Sequence, residues 1–279
     1  MRRGVPLFLT LILGLSASAA QRGAGPAAND PIRTLVAQLD LEKYKATIKG
    51  LTQFGDRRQG TDRNRFAIDW IEAQLKSYGC TNTERLKYDF PLVGSTRATG
   101  PGGGRVRGTR TPTGVNNDPL KQPDVRLREL NTPPTVNGSR EEVYCTKIGT
   151  THPEEMYLVT AHMDGIGWGE AANDDGSGTA LVMELARVLS SPGIQTERSI
   201  RFILWNNEES GLEGSRAYAA QRKDLQGKED PAGSGHYPEP KWLGVIQHDM
   251  MLFDHGMPRA DGTMSKEQRP RPTSTSSFK

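Results

Sequence analysis

The chain has 279 residues, 34% of them hydrophobic, and a formal net charge of +3. That length holds one α/β domain with a real core plus extensions and excludes two large domains. The basic excess lies in irregular stretches such as Gly104 to Arg110 rather than on a periodic helical face, which argues against a nucleic-acid partner or an anionic-membrane surface.

Residues 1–20 carry Arg2 and Arg3, an apolar run from Val5 to Leu15 and the small residues Ser16 to Ala20. This is the pattern of a secretory signal peptide cleaved near Ala19 or Ala20, with an apolar run about half the ~20 residues of a membrane span. The mature protein is expected to be secreted or periplasmic, with no membrane contact after signal removal. A Gly/Ala/Pro-rich lead-in follows at 21–31. The catalytic domain is expected over 32–258 and an irregular tail over 259–279.

Helical spacing runs from Ile32 to Phe54. It is clearer from Thr61, a good N-cap, to Tyr78, where Ala67, Ile71 and Leu75 repeat at four and Gly79 suits a left-handed C-cap. Leu86, Tyr88 and Phe90 alternate with polar residues up to Pro91, as a half-buried strand does. The stretch 93–138, rich in Gly, Pro and Arg, lacks sustained periodicity and reads as a surface insertion.

The second half alternates strand and helix. Val143 to Ile148 and Met156 to Ala161 are strands, the latter apolar without alternation, as a strand covered on both faces requires. A helix from Ser177 to Leu189, a strand from Ser199 to Trp205, a helix from Glu213 to Lys223 and an apolar strand from Trp242 to Gln247 follow. The class is α/β with a largely parallel sheet. Cys80 and Cys145 are the only cysteines; an oxidising compartment permits them to pair, and two buried free thiols are the equal alternative. Without a Cys-x-x-Cys, thiolate zinc sites are excluded.

Three apolar strands run into ligand-type residues: His162-Met163-Asp164, Asn206-Asn207-Glu208-Glu209 and His248-Asp249. Open α/β sheets bind ligands at the carboxyl ends of their strands, so three independent strands delivering such residues form a constellation. His162 and Asp164 are two apart and leave an extended backbone on one side, which lets the acid orient the imidazole of a metal ligand. Asn173-Asp174-Asp175-Gly176 opens a helix; capping satisfies Asp175 and leaves Asp174 free to face the site. Glu208 and Glu209 point to opposite sides of an extended chain, so one can bind metal while the other faces substrate. His, Asp and Glu donors suit zinc and tolerate manganese or cobalt.

Together Ala161-His-Met-Asp-Gly165, Asn173-Asp-Asp-Gly-Ser-Gly178, Asn207-Glu-Glu-Ser-Gly-Leu-Glu-Gly-Ser215 and Gln247-His-Asp-Met250 resemble metallopeptidase family twenty-eight. These are the co-catalytic zinc exopeptidases that include bacterial leucyl aminopeptidase, aminopeptidase Y and glutamate carboxypeptidase. The resemblance covers roughly Leu51 to Asp249. It implies a three-layer α/β sandwich, helices on both faces of a mixed, largely parallel sheet, and a terminal peptide bond as substrate. By the resemblance His162 and Asp249 bind one zinc, Asp174 bridges two, Glu209 binds the second, Asp164 supports His162, and Glu208 is the general base toward a metal-activated water. The family's second zinc also takes a His well beyond the Asp249 position, and His255 does not stand in that context. The chain is therefore expected to be truncated, with the last strands missing. Two readings compete with an active aminopeptidase: a metal-poor, catalytically inactive binding domain of the same fold and, more weakly, a single-zinc glutaminyl cyclase.

Overall fold

The computed structural model describes residues 30–90 and 118–252. The signal sequence, most of the lead-in, 93–117 of the insertion, His255 and the tail lie outside the described residues. The chain forms two units, the first ending at Ala37 and the second beginning at Gln38. Of the first, the described part is a short helix, α1 (Pro31–Val36), capped by the Asp30 carboxylate.

In the second unit, α2 (Leu41–Thr52) starts where the Asp40 carboxylate accepts from the amides of Glu42 and Lys43. That cap explains why the helical spacing from 32 to 54 yields two helices: a side chain that satisfies orphan amides begins a new helix. α3 (Asp62–Ser77) is capped by Thr61, buries Ala67, Ile71 and Leu75 completely, and is followed by Gly79 at φ +86°. The chain then forms β1 (Thr83–Phe90). Within the region read as an irregular insertion, residues 118–137 contain a 3-10 turn (Pro119–Lys121) and α4 (Val125–Asn131). A seven-residue helix shows too little periodicity to stand out; its Asp124 cap was the only mark.

The remaining elements are β2 (Gly138–Lys147), β3 (His152–His162), α5 (Gly176–Leu189), β4 (Arg198–Trp205), α6 (Glu213–Arg222) and β5 (Lys241–Gln247). The sheet order is β1-β2-β4-β3-β5. β4, β3 and β5 run parallel, whereas β1 with β2 and β2 with β4 are antiparallel, so the sheet is mixed. Leu51, Ile71, Leu75, Val182 and Met183 from α2, α3 and α5 pack on one face against Val143, Val159 and Phe202. Tyr218 of α6 covers Tyr144, Leu158, Ile203 and Trp205 on the other. β3 is thus covered on both faces, which is why its apolar residues do not alternate.

Two features depart from or settle the sequence reading. Cys80, just after α3, and Cys145, in β2, form a disulfide. β5 is a strand, but it stands at the sheet edge and is not buried: Val245 is 61% and Ile246 53% exposed. Among the described residues nothing pairs with its outer side, so its apolar side chains are not those of a core strand.

Candidate metal and catalytic site

Parallel pairing sets the ends of three strands side by side. His162 is in register with Trp205 and Thr160 with Gln247, so the residues that follow β4 and β5 emerge beside the end of β3. His162 is buried, and its Nδ1 lies 2.9 Å from the Asp164 carbonyl and 3.7 Å from the Asp164 carboxylate. A ring nitrogen facing a carbonyl must donate to it, which leaves Nε2 as the ring nitrogen turned to the carboxylates. Nε2 is buried without a hydrogen-bond partner, and carboxylate oxygens of Asp174 and Asp249 lie 3.1 and 3.9 Å away.

The Asp164 carboxylate turns instead to the next strand, where its Oδ1 accepts from the Glu208 amide at 3.0 Å. Glu208 and Glu209 are half-buried at the end of β4, in a turn entered through Asn207 at φ +61°. Asp175 is wholly buried: Oδ1 accepts from Gly178 at 2.8 Å and Met250 at 3.2 Å, and Oδ2 from the His162 amide at 3.2 Å. One side chain therefore caps α5, holds the end of β3 and fastens the segment after β5. The peptide bond between Asp174 and Asp175 is cis.

Among the described residues, the donor atoms that approach within 4.8 Å of one another as a possible ion site belong to His162, Asp175 and Asp249. Asp175 already receives three amide hydrogens, whereas Asp174 is 43% exposed at its side chain and nearer to Nε2. Asp174 is thus the freer carboxylate beside Nε2, and Asp175 the hydrogen-bonded one behind it. Either way the described set is one three-ligand site, short of a complete two-metal centre.

The electrostatics point the same way. Burial, followed by the neighbouring Asp174, pushes Glu209 up to about 8. Glu208 and Asp249 are raised as well, by burial first and by surrounding carboxylates after it. Burial opposes the charging of His162, but Asp164 and Asp174 outweigh it and lift the imidazole to about 12. Crowded carboxylates that hold each other's protons, with an imidazolium as their counter-charge, describe a cluster short of positive charge. A divalent cation would supply it, and the orphaned Nε2 with oxygens around it is a donor set that zinc accepts. An apolar cavity of about 360 Å³ opens beside Glu208 and Asp249, lined by Leu158, Trp205, Tyr218, Trp242 and Val245.

Residues without a signature in the sequence support this arrangement. The buried Arg57 guanidinium donates to the carbonyls of Met163, Glu170 and Ala171 at 2.8, 2.8 and 2.7 Å, fixing the loop between His162 and Asp174. Asn131 of α4 bonds the Asp56 amide and the Gly169 carbonyl, tying the same loop from the other side. Asn206 and Asn64 exchange amide hydrogen bonds at 3.0 and 3.1 Å beneath the Glu208 turn.

Comparison with known proteins agrees with this geometry. The profile of peptidase family M28 matches residues 143–257. Aminopeptidase YwaD of Bacillus subtilis is 48% identical over 67 residues, 24% of this chain and 14% of that protein. A probable zinc metalloprotease of Leptosphaeria maculans is 27% identical over 218 residues, 71% of this chain and 41% of that protein. The chain thus spans less than half the length of these relatives. The solved aminopeptidase from Aneurinibacillus sp. strain AM-1 shares the fold at a TM-score of 0.51, with 18% identity over 78% of this chain and 72% of that one. The segment that matches the profile of peptidase family M28, residues 143–257, is the one that carries the ligand-type residues at the ends of three neighbouring strands.

Proposed function

We propose that this chain is a metal-poor member of the zinc exopeptidase fold. It binds a peptide end at the edge of β3, β4 and β5, holds one zinc weakly, and turns peptide over slowly or not at all. The observation that carries this reading is the ligand inventory: His162 and Asp249 with Asp174 or Asp175, and no further described ligand completing a pair of ions. The apolar cavity beside Glu208 and Asp249 offers room for a side chain of the bound peptide. The amino-terminal signal pattern and the Cys80–Cys145 disulfide support a location outside the cytoplasm.

A second reading, an active aminopeptidase, is favoured by one specific arrangement. Glu208 is half-buried, raised in pKa and held through its amide by Asp164, beside His162 and Asp249. Zinc bound by His162, Asp174 and Asp249, with Glu209 toward a second ion, would polarise a scissile carbonyl. Glu208 would take a proton from the attacking water and return it to the leaving amine, which suits a carboxylate whose pKa burial raises. Asp164 would serve by keeping Glu208 and His162 in register.

Zinc stoichiometry of the purified chain, measured with hydrolysis of a leucyl anilide by wild type and Glu208→Gln, separates the two. One zinc or less and no Glu208-dependent turnover is the expected outcome. Two zincs and turnover reduced at least a hundredfold by Glu208→Gln would overturn the metal-poor reading in favour of the enzyme.

A further inference from the structure

Glu142 lies on β2 opposite Leu86 of β1 and is wholly buried. Val143 and Cys145 pack on the face covered by α2, α3 and α5, whereas Tyr144 packs with α6, so alternation sends Glu142 to the α6 face. There both of its carboxyl oxygens lack a hydrogen-bond partner, and no described cation forms an ion pair with it. A buried carboxyl without a partner is heavily penalised in its charged form, so the neutral acid is the form that fits. Burial, opposed by the nearby Asn206 amide, pushes Glu142 up to about 8, consistent with that.

What the carboxyl meets is the back of the Glu208 turn. A Cβ placed on Gly214, in the first turn of α6, would stand 2.4 Å from Glu142 Oε2 and 2.2 Å from the Asn206 carbonyl. The Asn206 carbonyl in turn accepts from the Gly214 amide at 3.1 Å and from the Tyr88 hydroxyl at 3.1 Å. Between Asn206 and Gly214 the backbone passes twice through left-handed conformations at residues with side chains, Asn207 at φ +61° and Leu212 at φ +66°. Such residues are strained and persist only where the surroundings over-determine them. α6 also begins without a side-chain cap, Leu212 supplying none.

We propose that Glu142 is a positioning residue for Glu208: a buried carboxylic acid that braces the Asn206–Glu208 turn against the first turn of α6. The acid form carries one donor and free acceptor oxygens, the complement that a turn of backbone amides and carbonyls needs. Gly214 is the other half of the device, since only a residue without Cβ lets the helix come this close. The role rests on Glu208 facing the site, as in both readings above, but not on turnover.

The experiment is hydrogen–deuterium exchange across residues 206–216 in wild type, Glu142→Leu and Glu142→Gln, with leucyl anilide kinetics on the same samples. Leu fills the volume with apolar atoms and should keep the fold, whereas Gln restores a neutral donor and acceptor. At least tenfold faster exchange in 206–216 for Glu142→Leu, with β3 amides unchanged and Glu142→Gln within twofold of wild type, is the expected result. Exchange in Glu142→Leu equal to wild type, or faster throughout the sheet, overturns the proposal. Where the wild type turns over the anilide, Glu142→Leu should lose at least tenfold in kcat with KM within twofold, and a kcat left unchanged also overturns it. Absence of turnover in the wild type bears on the enzyme reading alone, and exchange then decides the role of Glu142.

Discussion

Glu142 and Arg57 are both wholly buried ionisable side chains, and they solve burial in opposite ways. Arg57 surrounds its guanidinium with carbonyls and stays charged, although desolvation lowers it to about 10. Glu142 has no such partners and is held as the acid. Because the folded state binds this proton more tightly than the unfolded chain, its stability contribution is fully present at low pH. It is lost as pH rises from the ordinary carboxylate range to about 8. Thermal unfolding with a chelator present should therefore show Glu142→Gln gaining on wild type from pH 5 to pH 8.5; parallel curves would show that Glu142 does not titrate in that window. Neither residue is legible in one dimension. Arg57 stands beside Arg58 and Glu142 beside Glu141, which pairs with Arg85 and Lys87 near the surface. Nothing in the sequence says which of two adjacent charges turns inward. His162, Glu208 and Asp249 were legible because each directly follows an apolar strand.

Strands and helices with a continuous apolar stripe could be placed from the sequence, and α3, with its Thr61 cap and Gly79 end, is the clearest case. Short elements governed by one cap could not: α1 and α2 divide at Asp40, and α4 depends on Asp124. Pairing of the cysteines needed the third dimension, because it depends on the end of α3 lying across β2. The disulfide closes a separation of 65 residues and fixes that crossing. Loop-closure entropy for such a span gives about 4 kcal/mol of stabilisation. Denaturant unfolding with and without reductant, or of Cys80→Ser with Cys145→Ser, should show a lower midpoint and a loss of unfolding free energy of that size. An unchanged midpoint would show that α3 and β2 hold together without the bond.

At the scale of the molecule, the sheet ends at β5 among the described residues. Val245, Ile246, Met250, Met251 and Leu252 are all substantially exposed along β5 and the segment after it. Unpaired backbone groups beside apolar side chains are a template for association. Sedimentation velocity should reveal concentration-dependent self-association, and Val245→Lys should suppress it; a monomer at every concentration would show that the edge is inert. The Asp175 carboxylate adds a constraint of timing. It joins the end of β3 and the start of α5 to Met250, 75 residues further along the chain. During synthesis His162 and Asp175 leave the ribosome well before their third partner exists, at roughly 5–20 residues per second. The candidate ion site is thus completed several seconds after His162 appears, and an early-bound ion would meet a half-built pocket.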